Sequence, residues 1–237
     1  MKKFIFDVDG TLTPSRQRIT QEFNTFFISF CFDKNVYLVS GSDYNKTYEQ
    51  LGETICYLAK RIYNCSGSYV TEKGEVIYQR EWLLPDKAKN FLTDKLNQSK
   101  FPDRYGLHFE DRPGMCNFSV VGRHADSIGR KKYVDWNKEN KQDERISIAK
   151  EFNYLFPGIT AKVGGDTGID IFPTGNDKSQ IVRDFDKEDI IYFFGDKMND
   201  EGNDFPLKQR LMNDNYNAYF HSVTCWQDTY NILKNEL

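Results

Sequence analysis

The stretch Phe4-Ile5-Phe6-Asp7-Val8-Asp9-Gly10-Thr11-Leu12-Thr13 decides the fold of this 237-residue chain. Its apolar run from Phe4 to Val8 stops at Asp9-Gly10-Thr11, the pattern of a buried strand broken by a turn. Two carboxylates sit at its end, and a period of two puts Asp7 and Asp9 on the same side of the strand. Outward from it, beginning at Ile19, Phe23, Phe26, Phe27 and Phe30 recur at three- and four-residue spacing, which predicts a helix with one buried face. A second buried strand, Val36 to Val39, runs into Ser40-Gly41-Ser42-Asp43, where the next helix would present free backbone N–H groups as an anion site. A third, Ile190 to Phe194, ends in Gly195-Asp196. Strands alternating with helices imply an α/β fold with a parallel sheet, whose ligands collect at the carboxyl ends of the strands. That places Asp7, Asp9, Ser40 and Asp196 together.

A strand-end Asp taken alone is as well read as a helix cap. Three carboxylates converging on one sheet edge repel one another, however, and a bound divalent cation relieves this. Every donor is an oxygen, which favours Mg²⁺ over zinc. The rest of the composition narrows the setting. Lys and Arg total 32 against 35 Asp and Glu, a net charge of −3, so the basic footprint of a nucleic-acid binder is absent. The longest apolar segment, Phe23 to Phe32, is too short to span a bilayer. Five scattered cysteines form neither a disulfide framework nor a metal-ligand spacing, which fits a reducing, cytoplasmic location.

The middle of the chain reads differently. Gly74 to Gln79, Leu107 to Phe109, Met115 to Val121 and Ile159 to Ile171 contain alternating stretches, while Asp86 to Leu96 and Glu144 to Leu155 read as helices. This is an α+β block inserted between the second and third sheet strands, with domain boundaries at 1–80 and 175–237 for the parallel-sheet domain and 81–174 for the insert. Alternation puts Asn117, Ser119 and Arg123 on one face with Phe118 and Val120 on the other, and turns Asp170 away from Ile169 and Ile171. The polar face gathers Arg123 with Arg112 and Arg130 nearby. Single arginines usually decorate solvent, whereas a cluster suits bidentate recognition of phosphate.

The segment Asp7-Val8-Asp9-Gly10-Thr11-Leu12-Thr13 resembles the first motif of the haloacid dehalogenase superfamily of phosphotransferases. Ser40, Lys178 and Gly195-Asp196 follow in the order of that superfamily's remaining motifs. The resemblance implies a Rossmann-like core with an inserted type II cap. It narrows to eukaryotic-type phosphomannomutases through Asp7 to Thr20 (DVDGTLTPSRQRIT), Gly114 to Arg130 (GMCNFSVVGRHADSIGR), Gly164 to Lys178 (GGDTGIDIFPTGNDK) and Phe193 to Asp204 (FFGDKMNDEGND). By that resemblance Asp7 is the nucleophile and Asp9 the general acid/base, with Ser40 and Lys178 completing the catalytic set. The metal ligands are Asp7, Asp9 and Asp196, and the substrate contacts are Arg16, Arg112, Arg123, Arg130 and Asp170. It further implies interconversion of mannose 6-phosphate and mannose 1-phosphate, a hexose 1,6-bisphosphate activator, and a homodimer formed through the cap.

Two departures stand out. This chain has Gly168 where the family has a serine, and Ser40-Gly41-Ser42-Asp43 where the family has Gly-Gly-Ser-Asp. Both lean toward the hydrolases of the superfamily, so a Mg²⁺-dependent sugar-phosphate phosphatase is the alternative. A catalytically silent phosphosugar-binding module is a third reading, opposed by the joint presence of Asp7, Asp9, Lys178 and Asp196.

Overall fold

The computed structural model describes residues 1–139, 143–200 and 202–235. In chain order the first elements are β1 (Lys2–Asp7), α1 (Gln21–Asp33), β2 (Val36–Val39), α2 (Tyr44–Leu58), β3 (Arg61–Asn64), β4 (Tyr69–Glu72) and β5 (Glu75–Gln79). Then follow α3 (Asp86–Gln98), β6 (Phe109–Arg112), β7 (Met115–Phe118), α4 (Ser127–Glu139), α5 (Glu144–Leu155), β8 (Ile159–Gly164) and β9 (Gly168–Pro173). A 3-10 segment, Lys178–Asp184, leads to β10 (Ile190–Gly195), α6 (Phe205–Asn213), β11 (Asn217–Ser222) and α7 (Trp226–Asn235). Two compact units result, Met1–Arg80 with Gly175–Leu237, and Glu81–Thr174.

The first unit holds a seven-stranded sheet in the order β11-β10-β1-β2-β3-β4-β5. The five strands from β11 to β3 are parallel, and β4 and β5 close that edge as an antiparallel hairpin. The chain runs from β1 to β2 on one side and, later, from β10 to β11 on the other, so the strand order reverses at β1, which opens a crevice at its carboxyl end. Alternation along β1 serves two cores. Phe4 and Phe6 pack with Phe23, Phe27 and Phe30 of α1, whereas Ile5 joins Val39, Ile181, Phe193 and Leu207 in the other. Phe6 meets Phe27 edge-on, with ring centroids 5.1 Å apart. Each such buried side chain contributes about 1.5–3 kcal/mol, so the phenylalanine face of α1 fixes that helix to the sheet.

Three expectations change here. Gly74 to Gln79 is β5 of the large sheet and no part of the insert, because the turn at Lys73-Gly74 folds it back on β4. The insert therefore leaves the sheet after β5 and not after the second strand; β3 is four residues long and carries no alternation strong enough to announce it. Finally, β1 ends at Asp7. Backbone N–H groups of Thr11, Leu12 and Thr13 turn back onto the Val8 carbonyl, so strand alternation does not extend to Asp9.

The second unit has an antiparallel sheet in the order β6-β7-β9-β8. Cys116, Phe118, Ile169, Ile171 and Ala161 share a core with Leu92, Tyr133 and Phe152 of the helices. On the opposite face the strand register aligns Glu110, Asn117, Asp170 and Lys162 in one row across all four strands. The stretch read as Ile159 to Ile171 is two strands, β8 and β9. The strand expected to reach Val121 ends at Phe118, where the Gly122 N–H bonds back to the Ser119 carbonyl, so Arg123 stands in the loop before α4. Among the described residues no helix is long and apolar enough to cross a membrane.

Candidate active site

Asp7 is the last residue of β1 and is buried. The Lys178 ammonium, at the start of the 3-10 segment, donates to Asp7 Oδ1 at 2.5 Å and to Asp204 Oδ1 at 2.7 Å. Thr11 Oγ1 donates to Asp7 Oδ2 at 3.3 Å. Asp204 is wholly buried and accepts the Lys197 N–H on its other oxygen at 3.0 Å. Asp196 directly follows β10. Asp7, Asp196 and Asp204 each bring one carboxylate oxygen within 4.8 Å of the others. Three carboxylates and one ammonium leave two negative charges, which one divalent cation matches in sign, number and donor type. Burial pushes the Asp7 carboxyl up to about 8; Lys178 draws it down, and Asp204 and Asp196 add to the rise. Burial likewise raises Asp196. Lys178 is also raised: burial opposes its charge, but Asp204 and Asp7 outweigh burial, so it stays an ammonium.

Asp204 is the member of this cluster that sequence reasoning missed. It lies inside the quoted Phe193–Asp204 stretch, but an Asp just before a helix reads as a cap. It does occupy the position preceding α6, yet its side chain makes no capping bond and turns to Lys178 and Lys197 instead. Asp9 is not among the three clustered carboxylates. Its Oδ1 accepts the Arg16 N–H at 2.6 Å and Gln50 Nε2 at 3.0 Å, which holds it toward α2. Arg16 itself is exposed, with a left-handed backbone (φ 60°).

Ser40 follows β2 and is buried, and its Oγ accepts the Ser42 N–H at 3.0 Å. The free helix N-terminus expected there is occupied from within the chain, because Asp43 caps α2 and accepts the Lys46 N–H at 2.8 Å. A carboxylate at the N-cap supplies the negative charge that an incoming anion would have supplied.

In the second unit Glu110 joins two of the expected arginines, pairing with Arg112 at 2.8 Å and with Arg123 at 2.6 Å. Burial alone would raise the Glu110 carboxyl, but Arg112 and Arg123 outweigh it and hold it below the usual range. Asp170 Oδ1 accepts Asn117 Nδ2 at 2.6 Å, and Ser119 Oγ donates to the Thr167 carbonyl at 3.0 Å. Arg130 lies in the first turn of α4, half-buried. Gly168 sits in β9 without a left-handed backbone, and a Cβ there would stand 2.6 Å from Asn117 Nδ2. The glycine therefore makes room for the amide that holds Asp170. Neither Glu110 nor Gln50 was foreseen, since each gains its place only through partners distant in sequence.

Comparison with solved structures shows the fold class. The chain resembles a haloacid dehalogenase-like hydrolase from Bacteroides thetaiotaomicron, with TM-score 0.55, 15% identity, 87% of this chain and 84% of that chain covered. An IMP-nucleotidase from Plasmodium falciparum matches at TM-score 0.60 and 15% identity, over 99% of this chain and 67% of that one. This is the haloacid dehalogenase fold, a parallel-sheet core carrying a separate antiparallel α+β unit. The family model of eukaryotic phosphomannomutase matches residues 24–237. Phosphomannomutase 1 of Mus musculus is 32% identical over 240 residues, covering 95% of this chain and 88% of its own. The chain belongs to the eukaryotic phosphomannomutase family, and membership makes it a metal-dependent phosphotransferase of the isomerase type, in preference to a phosphatase.

Proposed function

We propose that this enzyme interconverts mannose 6-phosphate and mannose 1-phosphate through an aspartyl-phosphate on Asp7. The observation that carries the proposal is the buried Asp7 carboxylate clamped by Lys178 beside Asp196 and Asp204. A carboxylate and a phosphate are both negative, and a nucleophile here works only where positive charge is already in place. Asp7, Asp196 and Asp204 would hold Mg²⁺, which when bound offsets charge on the phosphoryl oxygens. In this assignment Asp204 takes the place given to the Asp9 side chain, whose Oδ1 is already committed to Arg16 and Gln50.

In the first half-reaction an Asp7 oxygen attacks phosphorus as the bond to the sugar oxygen breaks. Asp9 donates the proton that the leaving oxygen takes up. In the second half-reaction Asp9 accepts the proton of a sugar hydroxyl, whose oxygen takes the phosphoryl group back from Asp7. Lys178 holds its ammonium against Asp7 Oδ1 before the attack. A sugar carrying phosphate at either end needs a second anion site. Arg112, Arg123 and Arg130 provide one, with Asp170 for sugar hydroxyls and Arg16 for the phosphosugar beside Asp9. A hexose 1,6-bisphosphate serves as activator, because the first half-reaction with it loads Asp7 with the phosphoryl group that the second half-reaction hands to a hexose monophosphate. We place the enzyme in the cytoplasm, as a homodimer through the unit that carries the arginines.

The test is incubation of mannose 1-phosphate with enzyme, Mg²⁺ and a trace of hexose 1,6-bisphosphate, with mannose 6-phosphate and free phosphate both measured. Isomer without stoichiometric phosphate release supports the proposal. Rapid phosphate release without isomer overturns it.

A further inference from the structure

Gln50 is a polar residue with almost no solvent contact, in a helix where Tyr48, Glu49 and Glu53 beside it are exposed. Its side chain is buried, and its Nε2 donates to Asp9 Oδ1 at 3.0 Å, to Thr13 Oγ1 at 3.1 Å and to the Gln17 carbonyl at 3.3 Å. Its backbone carbonyl accepts the Ile19 N–H at 2.9 Å. In an unbroken helix that carbonyl would serve the residue four positions on. Here α2 is broken at Gly52 (φ 78°, ψ 168°), a conformation open to glycine and costly for any residue with a Cβ. The break leaves the Gln50 carbonyl for the loop that follows Asp9. One residue of α2 thus ties together Asp9, the turn at Thr13, and the chain at Gln17 and Ile19.

The asymmetry at Asp9 gives this a chemical meaning. Oδ1 takes two N–H donors, from Arg16 and Gln50, whereas Oδ2 has no hydrogen-bond partner among the described residues. Two donors on one oxygen fix the rotation of the carboxyl group and keep a proton off that oxygen, since it already accepts. Oδ2 is the oxygen left for exchange with the substrate.

We propose that Gln50 is a positioning residue for proton transfer, holding Asp9 by Oδ1 so that Oδ2 carries the proton to and from the sugar oxygens; this rests on the reading of Asp9 as the acid/base. In the forward step the bond from phosphorus to the sugar oxygen breaks, the bond to Asp7 forms, and the proton on Asp9 Oδ2 goes to the departing oxygen. Gln50 exchanges no proton itself. Its loss therefore slows only those reactions whose leaving oxygen needs one.

The experiment compares two substrates on Gln50→Met, which keeps side-chain length and has no donor. Mannose 1-phosphate has a strongly basic leaving oxygen, and 2,4-dinitrophenyl phosphate leaves as a stable phenolate without a proton. For mannose 1-phosphate kcat should fall about 10- to 100-fold, the range for losing one hydrogen bond to a charged group, with KM changed less than about twofold. The pre-steady-state burst of dinitrophenolate should change less than about twofold. Both rates are read on one sample, so any loss of folded protein cancels in their ratio. Gln50→Glu, equally long, places an acceptor against Oδ1 and should shift the ratio in the same direction. An equal fall on both substrates, or no fall on either, overturns the proposal. Asp9→Asn is run in parallel: isomerisation surviving in that variant refutes the acid/base reading itself, whereas its loss in Asp9→Asn with an unchanged ratio in Gln50→Met refutes only the role of Gln50.

Discussion

Replacing Lys178 with methionine tests the charge balance on which the proposed chemistry depends. Lys178 is 1% exposed and pairs with two carboxylates whose side chains are 5% and 0% exposed. Removing one partner of a buried pair costs about 3–5 kcal/mol, because the remaining charge is stranded in a poor solvent. For a chain of this length each kcal/mol moves the melting temperature by about 2–4 °C, so metal-free Lys178→Met should melt about 6–20 °C below the parent. The exposed pair of Lys131 and Asp135 is the control. There the lysine side chain is 75% exposed, and its loss should cost less than about 1 kcal/mol.

Mg²⁺ makes the test specific. At a given protonation of Asp7, Lys178→Met leaves the cluster one negative charge further from balance than the parent protein. Mg²⁺ should therefore raise the melting temperature of both proteins and raise that of the variant more. The pH dependence has a definite sign. With Asp7 held near 8 against an ordinary value of 3.8, the folded metal-free state holds a proton that the unfolded state has lost. Stability from this group is thus complete below about pH 4 and declines as pH rises through about 8, and the increment due to Mg²⁺ should grow over the same range. The assay is scanning calorimetry after chelation, repeated with Mg²⁺ added back. A loss below about 1 kcal/mol in the variant, or a smaller Mg²⁺ increment than in the parent, refutes the reasoning.

Asp7→Asn should retain the fold and lose turnover, because an amide does not attack phosphorus; residual kcat above about 1% of the parent, a threshold for losing a covalent catalyst, would mean that another group is the nucleophile. Arg123→Ala and Arg130→Ala should each weaken isomerisation of mannose phosphates by about 1.5–3 kcal/mol and affect hydrolysis of a small aryl phosphate less, since that substrate has no second phosphate. Equal losses on both substrates, measured as kcat/KM, would remove these arginines from the anion site. Gly168→Ser should lower both the melting temperature and the affinity for hexose phosphate, because its Cβ would stand 2.6 Å from Asn117 Nδ2 and displace the amide that holds Asp170. Tighter binding at an unchanged melt in titration calorimetry would show instead that the chain lacked a useful hydroxyl.

What could be read from the sequence was what lies at the end of each strand, and what could not was how distant groups pair. The runs Phe4–Asp7, Val36–Val39 and Ile190–Gly195 are legible because strands buried on both faces are continuously apolar, and the polar residue that ends each run stands out. The four-residue β3 and the exposed edge strand β5 lack that contrast, so β5 reads like the alternating stretches of the insert although it lies before the boundary at 81. At the site, local sequence misleads in two opposite ways. Asp43 caps the helix N-terminus that the sequence leaves open to an anion, whereas Asp204, also just before a helix, turns away to meet Lys178, 26 positions earlier in the chain. Gln50 looks like surface on an amphipathic helix until the loop after Asp9 folds over it. Lys178 and Asp7 lie 171 positions apart, and neither signals the other except by being a charge in a segment that must be buried. A buried charge requires a partner. The better question to put to such a sequence is therefore which opposite charges lie in other segments that must also be buried; for Lys178 that question leads to Asp7, at the end of an apolar run, but not to Asp204, which stands in a polar segment.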